Sequence, residues 1–161
     1  MKKLVLAVLS SLMVGACITS LPEIPTLPEV QLPVVAEESA TWNSADYAKK
    51  PILMVFMGSW CPYCKMTMPA VTEVAEEYGD KVEIVSVFMD DDPAKVAEVM
   101  KQHNFHVKAL YDGGELAQAM SVNGLPHGIL FDKKHRAIRH WEGFSPTRAD
   151  DFKEALERIT K

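Results

Sequence analysis

Cysteine is scarce in this chain, with three in 161 residues. Cys61 and Cys64 stand two residues apart, and the third is Cys17. There is no second pair to complete a four-cysteine cluster, which argues against structural zinc. Positive charge is also short: 17 Lys and Arg against 22 Asp and Glu give a formal net charge of −5. That balance argues against nucleic acid and anionic lipid surfaces as partners. The apolar run at residues 4–14 is too short to span a bilayer as a mature helix. The whole length suits one ordinary domain rather than two.

What is present centres on Gly58-Ser59-Trp60-Cys61-Pro62-Tyr63-Cys64-Lys65. An apolar run leads into it and a helical pattern leads out. Two cysteines two residues apart, where a strand hands over to a helix, are the signature of a dithiol/disulfide redox site. The spacing lets both sulfurs reach bonding distance, about 2 Å, within one helical turn. Cys61 falls at the helix N-terminus, where free backbone N–H groups and the dipole favour a thiolate. Pro62 takes the first helical position, which needs no donor. Cys64 falls one turn in and deeper. Cys61 is therefore the expected nucleophile and Cys64 the resolving thiol. Lys65 is either a further positive charge beside the thiolate or simply an exposed lysine.

The N-terminus reads as an export signal. Lys2 and Lys3 precede the apolar run, which ends in Val14-Gly15-Ala16-Cys17. Small residues just before a cysteine resemble the bacterial lipoprotein signal, in which that cysteine is acylated and becomes the first residue. The expected division is a signal peptide at 1–16, a lipid-anchored spacer at 17–40 and a folded domain at 41–161. An ordinary secretory signal or an uncleaved anchor are the alternatives. An acyl chain on Cys17 anchors without spanning. Pro22, Pro25, Pro28 and Pro33 predict an extended, polyproline-like spacer. Removal of Lys2 and Lys3 makes the remainder more acidic still.

The remaining pattern alternates strands and helices. Residues 52–57 and 82–88 read as central strands buried on both faces. A helix runs from the cysteine pair to about Tyr78, with Pro69 inside it, and a second starts at Pro93. A short strand or extended segment at 105–111 and a short helix at 115–120 follow. Residues 128–131 and 137–141 form an antiparallel pair across a turn. A last helix ends near Ile159. This order predicts an α/β fold with a mixed sheet.

These residues resemble the thioredoxin superfamily, and within it the membrane-anchored TlpA/ResA-like thiol-disulfide reductases. The likeness rests on Trp60-Cys61-Pro62-Tyr63-Cys64-Lys65, on Pro69, and on Val122-Asn123-Gly124-Leu125-Pro126 before a strand ending Phe131-Asp132. An extra segment at about 107–121 matches the TlpA-like insert. The resemblance spans roughly 41–161. It implies a thioredoxin fold, a mixed central sheet flanked by helices. It implies that Pro126 is a cis-proline facing the redox site, leaving the backbone of Leu125 free to pair with an extended substrate peptide. Trp60, Pro62 and Tyr63 are then further substrate contacts. No cofactor or metal is implied, since the working group is the Cys61–Cys64 disulfide itself.

The chain departs from that pattern. The buried acid that thioredoxin carries before its cysteines is replaced by Val55. The glutamate that ResA-like proteins place after the second cysteine is replaced by Thr67. A proton acceptor for Cys64 is thus not evident; water or a carboxylate such as Glu115 are options, and neither is assigned. Leu125 stands where threonine is usual. Pro62-Tyr63 is the pair found in glutaredoxins and hints at a less reducing couple.

The resemblance implies a thiol-disulfide oxidoreductase facing the periplasm or the outside of the cell membrane. It would act on exported disulfide proteins, with a membrane electron donor of DsbD type. Ile18 after Cys17 favours the outer membrane over the inner. The alternative is a Sco-like copper chaperone on the same fold, using Cys61, Cys64, His127 and a methionine such as Met57, Met66 or Met68. Its usual spacing has three residues between the cysteines. A glutathione-using glutaredoxin fits poorly with export and with the extra segment.

Overall fold

The computed structural model describes residues 25–35, 37, 39–90 and 92–161. The 1–16 signal, Cys17 and the spacer as far as residue 24 lie outside the described residues.

In chain order the elements are β1 (Gln31–Pro33), β2 (Thr41–Asn43), a 3-10 turn (Ser44–Tyr47), β3 (Ile52–Met57), α1 (Pro62–Tyr78), β4 (Glu83–Phe88), α2 (Pro93–Gln102), β5 (Ala109–Leu110), α3 (Gly114–Ala119), β6 (His127–Phe131), β7 (Ala137–Glu142) and α4 (Arg148–Thr160). The main sheet has the order β5-β4-β3-β6-β7. β3, β4 and β5 run parallel, while β6 and β7 are antiparallel to their neighbours. This is the mixed sheet of a thioredoxin-like fold.

The strand at its centre is the apolar run before the cysteines. All six residues of β3 are buried. Alternation sends them to opposite faces. Leu53, Val55 and Met57 pack with Val71 and Val74 of α1, Val96 and Val99 of α2, and Phe152 and Leu156 of α4. Ile52, Met54 and Phe56 pack with Leu116 and Ala117 of α3 and with Leu32 and Trp42 of the small β1–β2 sheet. A strand covered on both sides needs apolar residues at every position, which is why it reads as a continuous run.

Helix starts follow local chemistry. Asp92 caps α2 by accepting from Ala94 N at 2.9 Å, with Pro93 next. Asn43 caps the 3-10 turn by accepting from Ala45 N, and that element ends at Tyr47. The hydroxyl of Thr67 donates to the Tyr63 carbonyl at 2.9 Å. The expected insert at 107–121 holds β5 and α3.

The boundary expected at Thr41 moves. Leu27, Leu32 and Val35 are buried core residues. Leu27 N donates to His135 O, and Ala137 N donates to Pro25 O, tying the segment to the β6–β7 turn. Val34 bridges Leu110, and Val35 N donates to Ala109 O, at the β5 edge. The packed part therefore begins by Pro25, and residues 25–35 are not spacer. The apolar residues between the prolines are the physical reason: they have uncovered sheet to bury against. Proline sits readily at such edges because it owes no ladder donor.

Candidate active site

The site is built where β3 ends and α1 begins. Gly58 follows the strand. A Cβ there would come within 2.8 Å of the Trp60 ring, so glycine is what lets the indole fold back. Ser59 comes next, and both its N (2.9 Å) and its Oγ donate to the carboxylate of Asp90. Cys61 N donates to Gly58 O at 3.1 Å, closing the turn.

Cys61 is the N-cap of α1, with Pro62 behind it. Its Sγ accepts from Cys64 N at 3.2 Å, so an N–H left over at the helix start points at this sulfur. That hydrogen bond sets the Cys61 sulfur at the positive end of the α1 dipole. Its Sγ also lies 3.9 Å from the Leu125 carbonyl. Both cysteines are free thiols in this structure.

The two thiols differ. Cys61 keeps 8% exposure and Cys64 none. Burial pushes the Cys64 thiol well up, and hydrogen bonding with Cys61 adds to this. The charges of Cys61 and Asp90 act in the same direction, while a hydrogen bond with the Gly58 backbone opposes them. One sulfur thus keeps a little exposure at the helix start beside an N–H donor, and the other is held fully covered as a thiol.

The rim is apolar. Trp60, Tyr63 and Met66 are 61%, 59% and 54% exposed. Tyr63 stacks on Phe144, with ring centres 6.2 Å apart. Pro62 is exposed and Leu125 half-buried. The Leu125–Pro126 peptide is cis. A concavity of about 660 Å³ lies elsewhere, lined by Pro33, Thr41, Ala94 and Tyr111.

Other expected residues fall as follows. Val55 and Thr67 are buried. Glu115 lines a hollow with Val30 and Leu32 beside β1; the carboxylate that bears on Cys64 is Asp90. His127 is buried at the start of β6, with Nε2 3.2 Å from His140 Nδ1 and its own Nδ1 without a partner. Burial, then the charge of His140, holds the His127 imidazole below its usual range. Met57 and Met68 are core residues. Among the described residues, no group of three or more His, Cys, Asp or Glu side chains is placed to hold a metal ion, and no helix is long and apolar enough to cross a membrane.

Sequence reasoning missed Ser59, Asp90 and Phe144. Asp90 reads as one of three acids in a turn, and Phe144 as one aromatic in a loop. Only the fold brings them to the cysteines.

A family model described as Redoxin matches residues 25–157. The thiol-disulfide oxidoreductase ResA of Bacillus thuringiensis is 30% identical over 117 residues, 71% of this chain and 66% of that protein. The thiol:disulfide interchange protein DsbE of Pseudomonas aeruginosa is 32% identical over 115 residues, 70% of this chain and 62% of that protein. The chain thus spans just under two thirds of these curated relatives. Among solved structures, a DsbE-type protein of Chlorobium tepidum superposes with a TM-score of 0.78 at 19% identity, covering 88% of this chain and all of that one. An exposed lipoprotein thioredoxin of Streptococcus pneumoniae gives 0.71 at 22% identity, covering 82% of this chain and all of that one. At these identities the structural likeness establishes the fold.

Proposed function

The chain belongs to the Redoxin family, and from that premise we propose that it is a thiol-disulfide oxidoreductase of ResA/DsbE type, acting as a reductase on exported proteins. The observation that carries this reading is the asymmetry of the pair: Cys61 Sγ accepts the Cys64 N–H at the start of α1, while the Cys64 thiol is fully buried.

The chemistry follows from that asymmetry. The Cys61 thiolate attacks one sulfur of a substrate disulfide. A Cys61–substrate bond forms, the substrate S–S bond breaks, and the departing sulfur takes up a proton. Cys64 then gives up its proton and attacks the Cys61 sulfur. The Cys61–Cys64 bond forms and the second substrate thiol leaves. Two electrons pass to the substrate, and an external dithiol must return them. A membrane donor of DsbD type fits a site in an oxidising compartment. The open rim of Trp60, Tyr63 and Met66, with the Leu125 carbonyl beside Cys61, suits a polypeptide better than a small molecule.

The setting is part of the proposal. A signal peptide at 1–16 and acylation at Cys17 would tether the domain to a membrane, the outer one where the cell has two. Replacing Cys17 with serine should move the protein from the membrane to the soluble fraction.

The decisive test is the potential of the Cys61–Cys64 couple, titrated against glutathione with a metal assay on the same sample. A potential near that of thioredoxin, about −270 mV, supports a reductase. A value near that of DsbA, about −120 mV, makes it an oxidant. Stoichiometric copper blocking the titration would replace this reading with a metal carrier. Cys64→Ser should accumulate a mixed disulfide through Cys61, and Cys61→Ser should trap nothing.

A further inference from the structure

Asp90 lies just past the end of β4, next to the central strand that delivers the cysteines. Its side chain is 5% exposed. Both of its oxygens accept from Ser59: Oδ2 from the backbone N at 2.9 Å and Oδ1 from the hydroxyl. Ser59 stands two residues before Cys61, inside the turn closed by Cys61 N and Gly58 O. The backbone of Asp90 is itself pinned, since Asp112 N donates to its carbonyl at 2.7 Å. A buried carboxylate is therefore bolted to the turn that presents the nucleophile, and its field reaches Cys64.

The charged and titratable groups around it, among the described residues, are few. Cys61, Cys64 and Lys65 come from α1. Lys95 and Glu98 of α2 share a cleft with Ser59 and Lys65. Asp92 stands two residues on, and Asp112, just after β5, meets it through the backbone hydrogen bond already named. Lys95 is largely solvated and paired with Asp92, so its charge is screened.

We propose that Asp90 is a positioning residue for the thiol pair: its side chain holds the turn that presents Cys61, and its negative charge biases the pair toward the disulfide, making the couple a stronger reductant. The physics is direct. Oxidation of the pair by glutathione disulfide removes two thiol protons, forms the Cys61–Cys64 bond and releases two glutathione thiols. Whatever stabilises a thiolate stabilises the reduced side of this exchange. A buried negative charge beside the thiols does the opposite. This rests on the redox role proposed above.

The test compares the full chain with Asp90→Asn, which keeps the shape and removes the charge. In the variant, the exchange constant with glutathione should shift at least threefold toward the dithiol. The thiolate absorbance at 240 nm should appear at lower pH. A purely structural role for Asp90 would move neither. Where Asp90→Asn does not fold, Asp90→Ser, which also removes the charge, is measured in the same way and should shift in the same direction. An unchanged exchange constant in a folded variant overturns the proposal. If the wild-type pair fails to exchange with glutathione at all, the redox reading itself falls. If it exchanges without regard to Asp90, only this inference falls.

Discussion

Cys61 and Cys64 have the same chemistry and different surroundings, and the difference should be measurable residue by residue. Alkylation of the reduced protein by iodoacetamide at neutral pH should label Cys61 and leave Cys64 untouched, as read by mass spectrometry. Only the first keeps any exposure, and only the second is raised by burial. Equal labelling would contradict the placement of the second under the helix. The buried thiol also carries a pH signature. Its folded-state value is raised above the ordinary 9.0, chiefly by burial. Its contribution to stability is therefore intact below about pH 9 and is lost above it, because only the unfolded chain releases that proton readily. Urea midpoints of the reduced protein should fall as pH passes 9, and Cys64→Ser should lack that component. The cysteine pair at the helix start and Pro62 at its first position were legible from spacing alone, because that placement is local to one turn. Asp90 was not: it is 31 residues from Ser59 in sequence, and no local pattern marks which of several acids a fold will bury.

At the scale of elements, α1 is held by what stands behind it. Lys153 of α4 reaches both Glu73 and Glu77 of α1 at 2.7 Å. These contacts are solvated and contribute little individually. The apolar seam contributes more. Phe152 is fully buried, meets Trp141 edge to face at 4.8 Å, and packs over Gly128. A Cβ on Gly128 would sit 3.1 Å from the Phe152 ring, so β6 is shaped to receive that ring. Phe152→Ala should cost about 3–5 kcal/mol in chemical denaturation, from lost burial and the cavity left behind. A loss under 1 kcal/mol would mean that α4 does not support the sheet in this way. The helices and the central strands were readable from periodicity and from proline at helix starts. The stacking of Tyr63 on Phe144 was not, since it depends on how the loop after β7 returns to α1.

Across the whole molecule, the N-terminal segment is where reading and structure part. Four prolines between residues 22 and 33 suggested an extended tether. An extended chain with apolar residues among its prolines can also lie along open sheet edges, as the described part from Pro25 onward does. Leu27, Leu32 and Val35 do so. A chain begun at Thr41 should therefore be less stable than one begun at Pro25. Full burial of such side chains is worth roughly 1.5–3 kcal/mol each, as an upper figure. Matching urea midpoints for the two lengths would show that the segment adds nothing.

Local chemistry settled the reactive centre: two cysteines at a strand-to-helix junction, a proline at the first helical position, and a continuous apolar strand leading in. Each follows from residues within one or two turns of one another. Tertiary structure alone decided which acid stands behind the thiols, which aromatic backs Tyr63, and where the folded part begins. Those three answers depend on surfaces that exist only once the sheet is assembled. Asp90 becomes a partner of Ser59 when β4 lies beside β3. The proline-rich segment becomes a covering strand when β5 and the β6–β7 turn offer it edges to bind.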